Sequence, residues 1–102
     1  MYSFMSGVVR GIKGFEWDER NSAKNETKHA VTDRESEEVF FNKPLAVVRS
    51  PKGGKEIRYV APGKTYGSRL LTVVFTVRAD RIRVISARPM SKNEREVYEK
   101  ED

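Results

Sequence analysis

Between Arg69 and Arg88 the chain reads RLLTVVFTVRADRIRVISAR, and its polar and apolar positions fall into two strands. Leu70–Val77 is nearly all apolar or β-branched, and Arg81–Arg88 alternates cation with aliphatic. Ala79 and Asp80 between them suffice for a two-residue hairpin loop. That loop pairs Arg78 with Arg81, Val77 with Ile82, Thr76 with Arg83, Phe75 with Val84 and Val74 with Ile85. Side chains alternate across a strand. One face therefore carries Leu71, Val73, Phe75, Val77, Ile82 and Val84, with Ser86 and Arg88 at its far end. The other carries Thr72, Val74, Thr76, Arg78, Arg81, Arg83 and Ile85. The first is a core face that helices should cover. The second is mixed and basic, and suits a ligand. A shift of one residue in register would exchange the two.

The same reading extends along the chain. Gly7–Ile12 is a short β-like piece flanked by glycines, an added first strand or an arm, within residues 1–14. Phe15–Trp17 is a short strand leading to Asp18, a good N-cap. Trp17 reads as a core anchor in preference to a base-stacking surface. Asp18–His29 is a polar helix with Ala23 as its one good apolar contact. Thr32-Asp33-Arg34-Glu35 is a capping box opening a helix to about Phe41. Val39, Phe40 and Phe41 form its buried end, Glu37 and Glu38 face solvent, and Asn42-Lys43-Pro44 stops it. Leu45–Arg49 is a strand, Ser50–Gly54 a turn, and Glu56–Thr65 a strand whose Pro62 suggests an edge or bulge. Tyr66-Gly67-Ser68 is a three-residue loop with Gly67 supplying positive φ. It pairs Thr65 with Arg69 and brings Arg58 opposite Thr76. Arg58, Thr76 and Arg83 then form one row on the basic face, beside a row of Val60, Val74 and Ile85. Ser91–Glu94 is a second capping box, opening a helix to about Lys100 with Val97 and Tyr98 as packing residues. The order β-α-α-β-β-β-β-α is that of a single α+β domain.

Composition sharpens this picture. At 102 residues with 37% hydrophobic and 34% charged positions, the core is small. No apolar run is long enough to cross a membrane, and MYSFMSGVVRGIKG lacks the apolar centre and cleavage signature of a signal peptide. With no cysteine there is no disulfide framework, and a cytoplasmic protein fits. The net charge of +5 is concentrated. Residues 49–88 hold ten Lys and Arg against two acids, Glu56 and Asp80, whereas the segments on either side are slightly acidic. Basic charge gathered on one sheet is the footprint of a polyanion site, although it also solubilises a sheet and blunts its edges.

Candidate chemistry follows from what is missing. There is no Walker motif, dinucleotide fingerprint or nucleophile elbow. No His/Asp/Glu cluster suggests a metal, and no cofactor is implied. RNA cleavage needs neither: the 2′-hydroxyl attacks the adjacent phosphorus, and the protein supplies a base, an acid and cations for the developing charge. Arginine suits the last task. Like charges side by side, as in Arg58 and Arg83, are unfavourable for stability alone, and an anion resolves the conflict. His29 reads first as a cation at a helix C-terminus and second as a general acid or base.

Six short motifs in order carry a family resemblance. They are FEWDE (Phe15–Glu19), N-x-x-K-H (Asn25, Lys28, His29), EEVFF (Glu37–Phe41) with Pro44-Leu45-Ala46, the Gly63–Thr76 stretch ending R-L-L-x-V-V-F-T, DRIRVISAR (Asp80–Arg88) and S-K-x-E-R-x-x-Y-E (Ser91–Glu99). Together, over about residues 15–100, the chain resembles the BrnT family of bacterial toxins. The resemblance implies a RelE-like fold: a mainly antiparallel sheet, two N-terminal helices packed on one face, and a C-terminal helix. It implies a ribonuclease that arrests translation. It also implies a cognate antitoxin whose dimer bridges two toxins in a heterotetramer and binds operator DNA. Carried over residue by residue, it marks Lys28 and His29, Arg58, and Arg81, Arg83 and Arg88. Catalytic candidates are thus His29, Lys28, Arg58, Arg83 and Arg88, and RNA-binding candidates are Arg58, Lys64, Arg78, Arg81 and Arg83. The chain departs from the family pattern at Ala30, where Gly is common, at Val77, where Glu is common, and at Pro89, where a basic residue is common. The alternative is a binding subunit without catalysis in an autorepressing DNA-binding complex, whose basic face meets an acidic antitoxin segment or nucleic-acid backbone, with the Val60, Val74 and Ile85 row as the hint of a protein partner.

Overall fold

Five strands and three helices build the molecule. The computed structural model describes residues 11–42, 46–52 and 54–101. The elements are β1 (Gly14–Glu16), α1 (Glu19–His29), α2 (Asp33–Val39), β2 (Val48–Ser50), β3 (Arg58–Lys64), β4 (Leu70–Arg78), β5 (Arg81–Pro89) and α3 (Lys92–Glu101). The strands lie in the order β1-β5-β4-β3-β2, antiparallel except for β1 beside β5. The expected α+β order is the one found. Residues 1–10 of the N-terminal segment, Lys43-Pro44-Leu45 and Gly53 lie outside the described residues.

The β4–β5 hairpin keeps the expected register from Arg78↔Arg81 to Phe75↔Val84. Beyond that point Val74 opposes Ser86, so Ile85 is an extra residue in β5. One inserted residue reverses the parity of everything after it. Ala87 turns to the core face opposite Val73, and Arg88 to the basic face opposite Thr72. The expected core-face positions of Ser86 and Arg88 are corrected accordingly, and the second row becomes Val60, Val74 and Ser86.

The core lies on the Phe75 face. It comprises Val31, Val39, Val47, Ala61, Leu71, Val73, Phe75, Ile82, Val84 and Ala87, all at most 3% exposed. Phe15, Trp17, Phe40 and Tyr59 pack around it, with Phe40 edge-on to both Phe75 and Phe15. Gly63 is required by close approach: a β-carbon there would lie 2.6 Å from Val39 Cγ1 of α2. The polar helix α1 has a different partner. It runs along β5 past the end of β1, where Asn25 Oδ1 accepts from the Ala87 amide, Asn21 Nδ2 donates to the Val84 carbonyl, and Lys24 Nζ donates to the Ile85 carbonyl. Its side chains serve the strand edge as a neighbouring strand would. Asp18 caps its start, and Ala30 ends it in the left-handed conformation (φ 53°) that glycine adopts more easily.

Four local expectations change. The helix α2 stops at Val39, and Phe41 is 68% exposed. Glu37 and Glu38 are half-buried acceptors, for Trp17 Nε1 at 2.7 Å and the Tyr66 amide at 2.9 Å. In the β3–β4 loop the left-handed residue is Ser68 (φ 68°) and not Gly67, because three-residue hairpin loops place it last. Finally, the basic face is not wholly open. The helix α3 lies across the half bearing Val60, Pro62, Thr72 and Arg88, where Asn93, Glu94 and Val97 form a groove with Val48, Val60 and Pro62. Tyr98 of α3 is buried while Val97 is 53% exposed.

Candidate active site

With α3 over one half, the half of the basic face that no described element covers reduces to two rows of residues. Strand registers put Ser50, Arg58, Thr76, Arg83 and Glu16 in one line across β2, β3, β4, β5 and β1. Arg78, Arg81 and Gly14 form the next line, at the hairpin end. Thr76 is the floor: it is buried, and its hydroxyl donates to the Ile57 carbonyl at 2.7 Å.

The two arginines of the central row differ. Arg83 donates from Nη1 to Glu16 Oε2 at 2.7 Å and from Nη2 to Asp18 Oδ2 at 3.0 Å. A guanidinium has five N–H donors, so three are without a partner among the described residues. Arg58 is half-buried, and its Nε is fully buried with no hydrogen-bond partner. Among the described residues it has no acid paired to it. The like-charge conflict expected for this row is therefore resolved on one side only, and by the chain's own carboxylates. The neighbouring Arg78 sits 3.2 Å from Glu56 and 4.0 Å from Glu16. Arg81 is exposed at the hairpin corner.

Sequence reasoning missed the acids. Glu16 and Asp18 enter the site because β1 runs parallel beside β5, a pairing that residues so far apart in sequence do not announce. The one available signal is FEWDE itself: alternation from Phe15, a core residue, puts Glu16 on the opposite face. The Arg20 amide at the start of α1, with the Arg83 charge behind it, holds the Asp18 carboxyl below its ordinary range. Both Asp18 oxygens are engaged, Oδ1 by that amide and Oδ2 by Arg83. For Glu16 only Oε2 is engaged among the described residues.

The remaining predicted residues lie elsewhere. Lys28 and His29 end α1, whose eleven residues begin beside Arg83, so they are about 16 Å away along the helix axis. There the His29 carbonyl accepts from Arg69 Nη2 at 2.9 Å, and Arg69 Nη1 reaches both the Ala30 carbonyl and Glu35. Lys64 stands six residues along β3 from Arg58, about 20 Å, at the opposite end of the strand. Arg88 makes a bidentate pair with Glu94 (2.7 and 2.9 Å) and so ties α3 to the sheet. The structure brings Arg58, Arg78, Arg81 and Arg83 together; it does not bring His29, Lys28, Lys64 or Arg88 to them. Among the described residues no group of three His, Cys, Asp or Glu could hold a metal ion, and no helix is long and apolar enough to cross a membrane.

Comparison with known proteins matches residues 17–94 to the family described as ribonuclease toxin, BrnT, of type II toxin-antitoxin system. This chain belongs to the BrnT family. The crystal structure of the Brucella abortus ribonuclease toxin BrnT, at 1.1 Å resolution, superposes with a TM-score of 0.63 at 25% sequence identity, covering 78% of this chain and 97% of that one. No curated protein matches. The BrnT match runs from Trp17, the residue after β1, to Glu94 in the first turn of α3, so every arginine of the two open rows, and both Asp18 and Glu56, fall within it; Glu16 stands immediately before.

Proposed function

We propose that this chain is the toxin of a type II toxin–antitoxin pair: a metal-independent endoribonuclease that cleaves RNA in the cytoplasm and so arrests translation until a cognate antitoxin neutralises it. Its fold is read as RelE-like. The antitoxin dimer bridges two toxins and carries the contact with operator DNA. Family membership supports the reaction class, and the observation that supports the site is Arg58, a half-buried guanidinium with no acid paired to it among the described residues, on the same row as Arg83. A guanidinium with no carboxylate on it, over a sheet floor, is a place for a phosphodiester to meet its outer nitrogens. With Arg83 on the same row, it would meet the charge that develops on the phosphorane. His29 and Lys28 would act on a more distant part of a bound RNA.

The test is cleavage of a single-stranded RNA in the presence of EDTA. Wild-type protein should cleave, and Arg58→Ala should lower kcat/KM by about 10²-fold or more with an unchanged circular dichroism spectrum. In cells, induced wild type should stop growth with RNA breakdown, and the variant should not. If Arg58→Ala and Arg83→Ala both cleave normally, this site is wrong. The second reading, a non-catalytic subunit of a repressor complex, draws on the apolar groove of Val48, Val60, Pro62 and Val97 beside α3. It predicts steep salt-dependent RNA binding without product.

A further inference from the structure

We propose that Glu16 is the general base of the cleavage reaction, resting on the ribonuclease reading above. Three observations on the row carry it. Glu16 is the residue of β1 opposite Arg83, so its carboxylate lies on the uncovered face in line with Thr76 and Arg58. Its Oε2 is fixed by Arg83 at 2.7 Å, with Arg78 at 4.0 Å, while Oε1 has no partner among the described residues and the side chain is 40% exposed. Asp18, the other carboxylate on Arg83, has both oxygens bound and helix-capping work to do. One acid is thus spent on structure, and the other is oriented with an oxygen to spare.

The geometry serves the chemistry. A phosphodiester held by the free donors of Arg83 and by Arg58 places its 2′-hydroxyl beside the carboxylate that flanks Arg83. Glu16 Oε1 takes the 2′-hydroxyl proton as the 2′-oxygen bonds to phosphorus. The bond from phosphorus to the 5′-oxygen breaks, and that oxygen takes a proton from solvent. The products are a 2′,3′-cyclic phosphate and a 5′-hydroxyl, and Glu16 returns its proton to water. No oxidant, metal or nucleotide is consumed. Among the described residues the charged groups against Glu16 are Arg83 on β5 and Arg78 on β4, with Asp18 on its own segment and Arg81 two residues before Arg83 on the same face. Glu56, the remaining acid of the site, lies beyond Arg78 and pairs with it through Oε2.

The experiment is the pH dependence of kcat/KM on a short RNA for wild type, Glu16→Gln, Glu16→Asp, Asp18→Asn and Glu56→Gln, with binding followed separately on an RNA whose cleavage-site 2′-hydroxyl is replaced by hydrogen. Wild type should rise with pH as a carboxylate ionises. Glu16→Gln should fall about 10²- to 10⁴-fold and lose that acid limb, while binding the 2′-deoxy RNA at least as tightly, since a negative charge beside Arg83 is gone. Glu16→Asp should recover part of the rate with the limb restored. Asp18→Asn should be slower yet keep the limb. An acid limb that survives in Glu16→Gln, or that vanishes in Glu56→Gln instead, overturns the assignment. A loss confined to binding makes Glu16 only a holder of Arg83. Wild type that cleaves nothing at any pH removes the ribonuclease reading and this proposal with it.

Discussion

Arg83, Arg58 and Arg88 are the same residue in three electrostatic settings. Arg83 is held by two acids and keeps donors to spare; Arg58 is half-buried with no acid paired to it among the described residues; Arg88 is closed by a bidentate partner. Position in the sheet decides which can meet a phosphate, and the bulge at Ile85 is what moves Arg88 to Glu94. That pair has a measurable signature. The Arg88 hydrogen bonds, helped by the Ser91 amide, lower the Glu94 carboxyl from 4.5 to about 2. A depressed folded-state value means the contribution is fully present above pH 4.5 and is lost as pH falls toward 2. Because the side chain is 31% exposed, solvent screening reduces the contribution to about 1–2 kcal/mol. Glu94→Gln should therefore lower the unfolding free energy by that amount at pH 7. It should also flatten the acid loss between pH 4.5 and 2, as read by urea titrations across that range. A variant with the wild-type acid slope would show that Glu94 is not the group responsible.

At the scale of elements, α1 is the instructive case. Its sequence is so polar that apolar periodicity scarcely marks it, and the structure supplies the reason: its partners are the backbone groups of β5. Asn25, 1% exposed, accepts from the Ala87 amide just past the bulge. Asn25→Leu keeps the volume but leaves that amide buried and unsatisfied, at a cost of about 1–3 kcal/mol. It should also loosen β5 at the bulge, seen as faster hydrogen exchange at Ala87 than at Val73 opposite. Equal protection at both would place the loss elsewhere. The same element explains what could be read in advance. The turn at Ala79-Asp80 and the alternation on either side give the hairpin register as far as Val84, and Thr32 and Ser91 mark their helix starts. Ile85 could not be foreseen, because Val-Ile-Ser-Ala offers no positional cue for an extra residue. Nor could the side of the sheet that α3 covers. Of Val97 and Tyr98 it is the tyrosine that is buried, and the groove beside α3 is formed with strands β2 and β3, distant from it in sequence. The Arg58–Arg83 row was legible because it lies before the bulge; the separation of His29 from it was not, since helix length bears on distance only once the helix start is placed beside Arg83.

For the whole molecule, the concentration of positive charge between residues 49 and 88 overstates what RNA can use. Of the ten cations there, Arg69, Arg78, Arg83 and Arg88 each lie within 3.2 Å of a carboxylate, and Lys64 stands at the far end of β3. If all ten met phosphates of a single strand, log K would fall with log salt at a slope of about −7. With three to five contacts, centred on Arg58 and Arg81 and assisted by Arg83, the slope should be about −2 to −3.5. RNA affinity measured at several salt concentrations distinguishes these. Arg58→Ala should make the slope shallower by about 0.7, whereas Arg88→Ala should leave it unchanged while lowering stability. A slope near −7 would mean that the internal ion pairs open when RNA binds, and the acids on Arg83 and Arg78 would then be a barrier that substrate must displace. A shallow slope with a clear Arg58 effect would mean instead that those acids stay in place, leaving Glu16 beside Arg83 as substrate arrives.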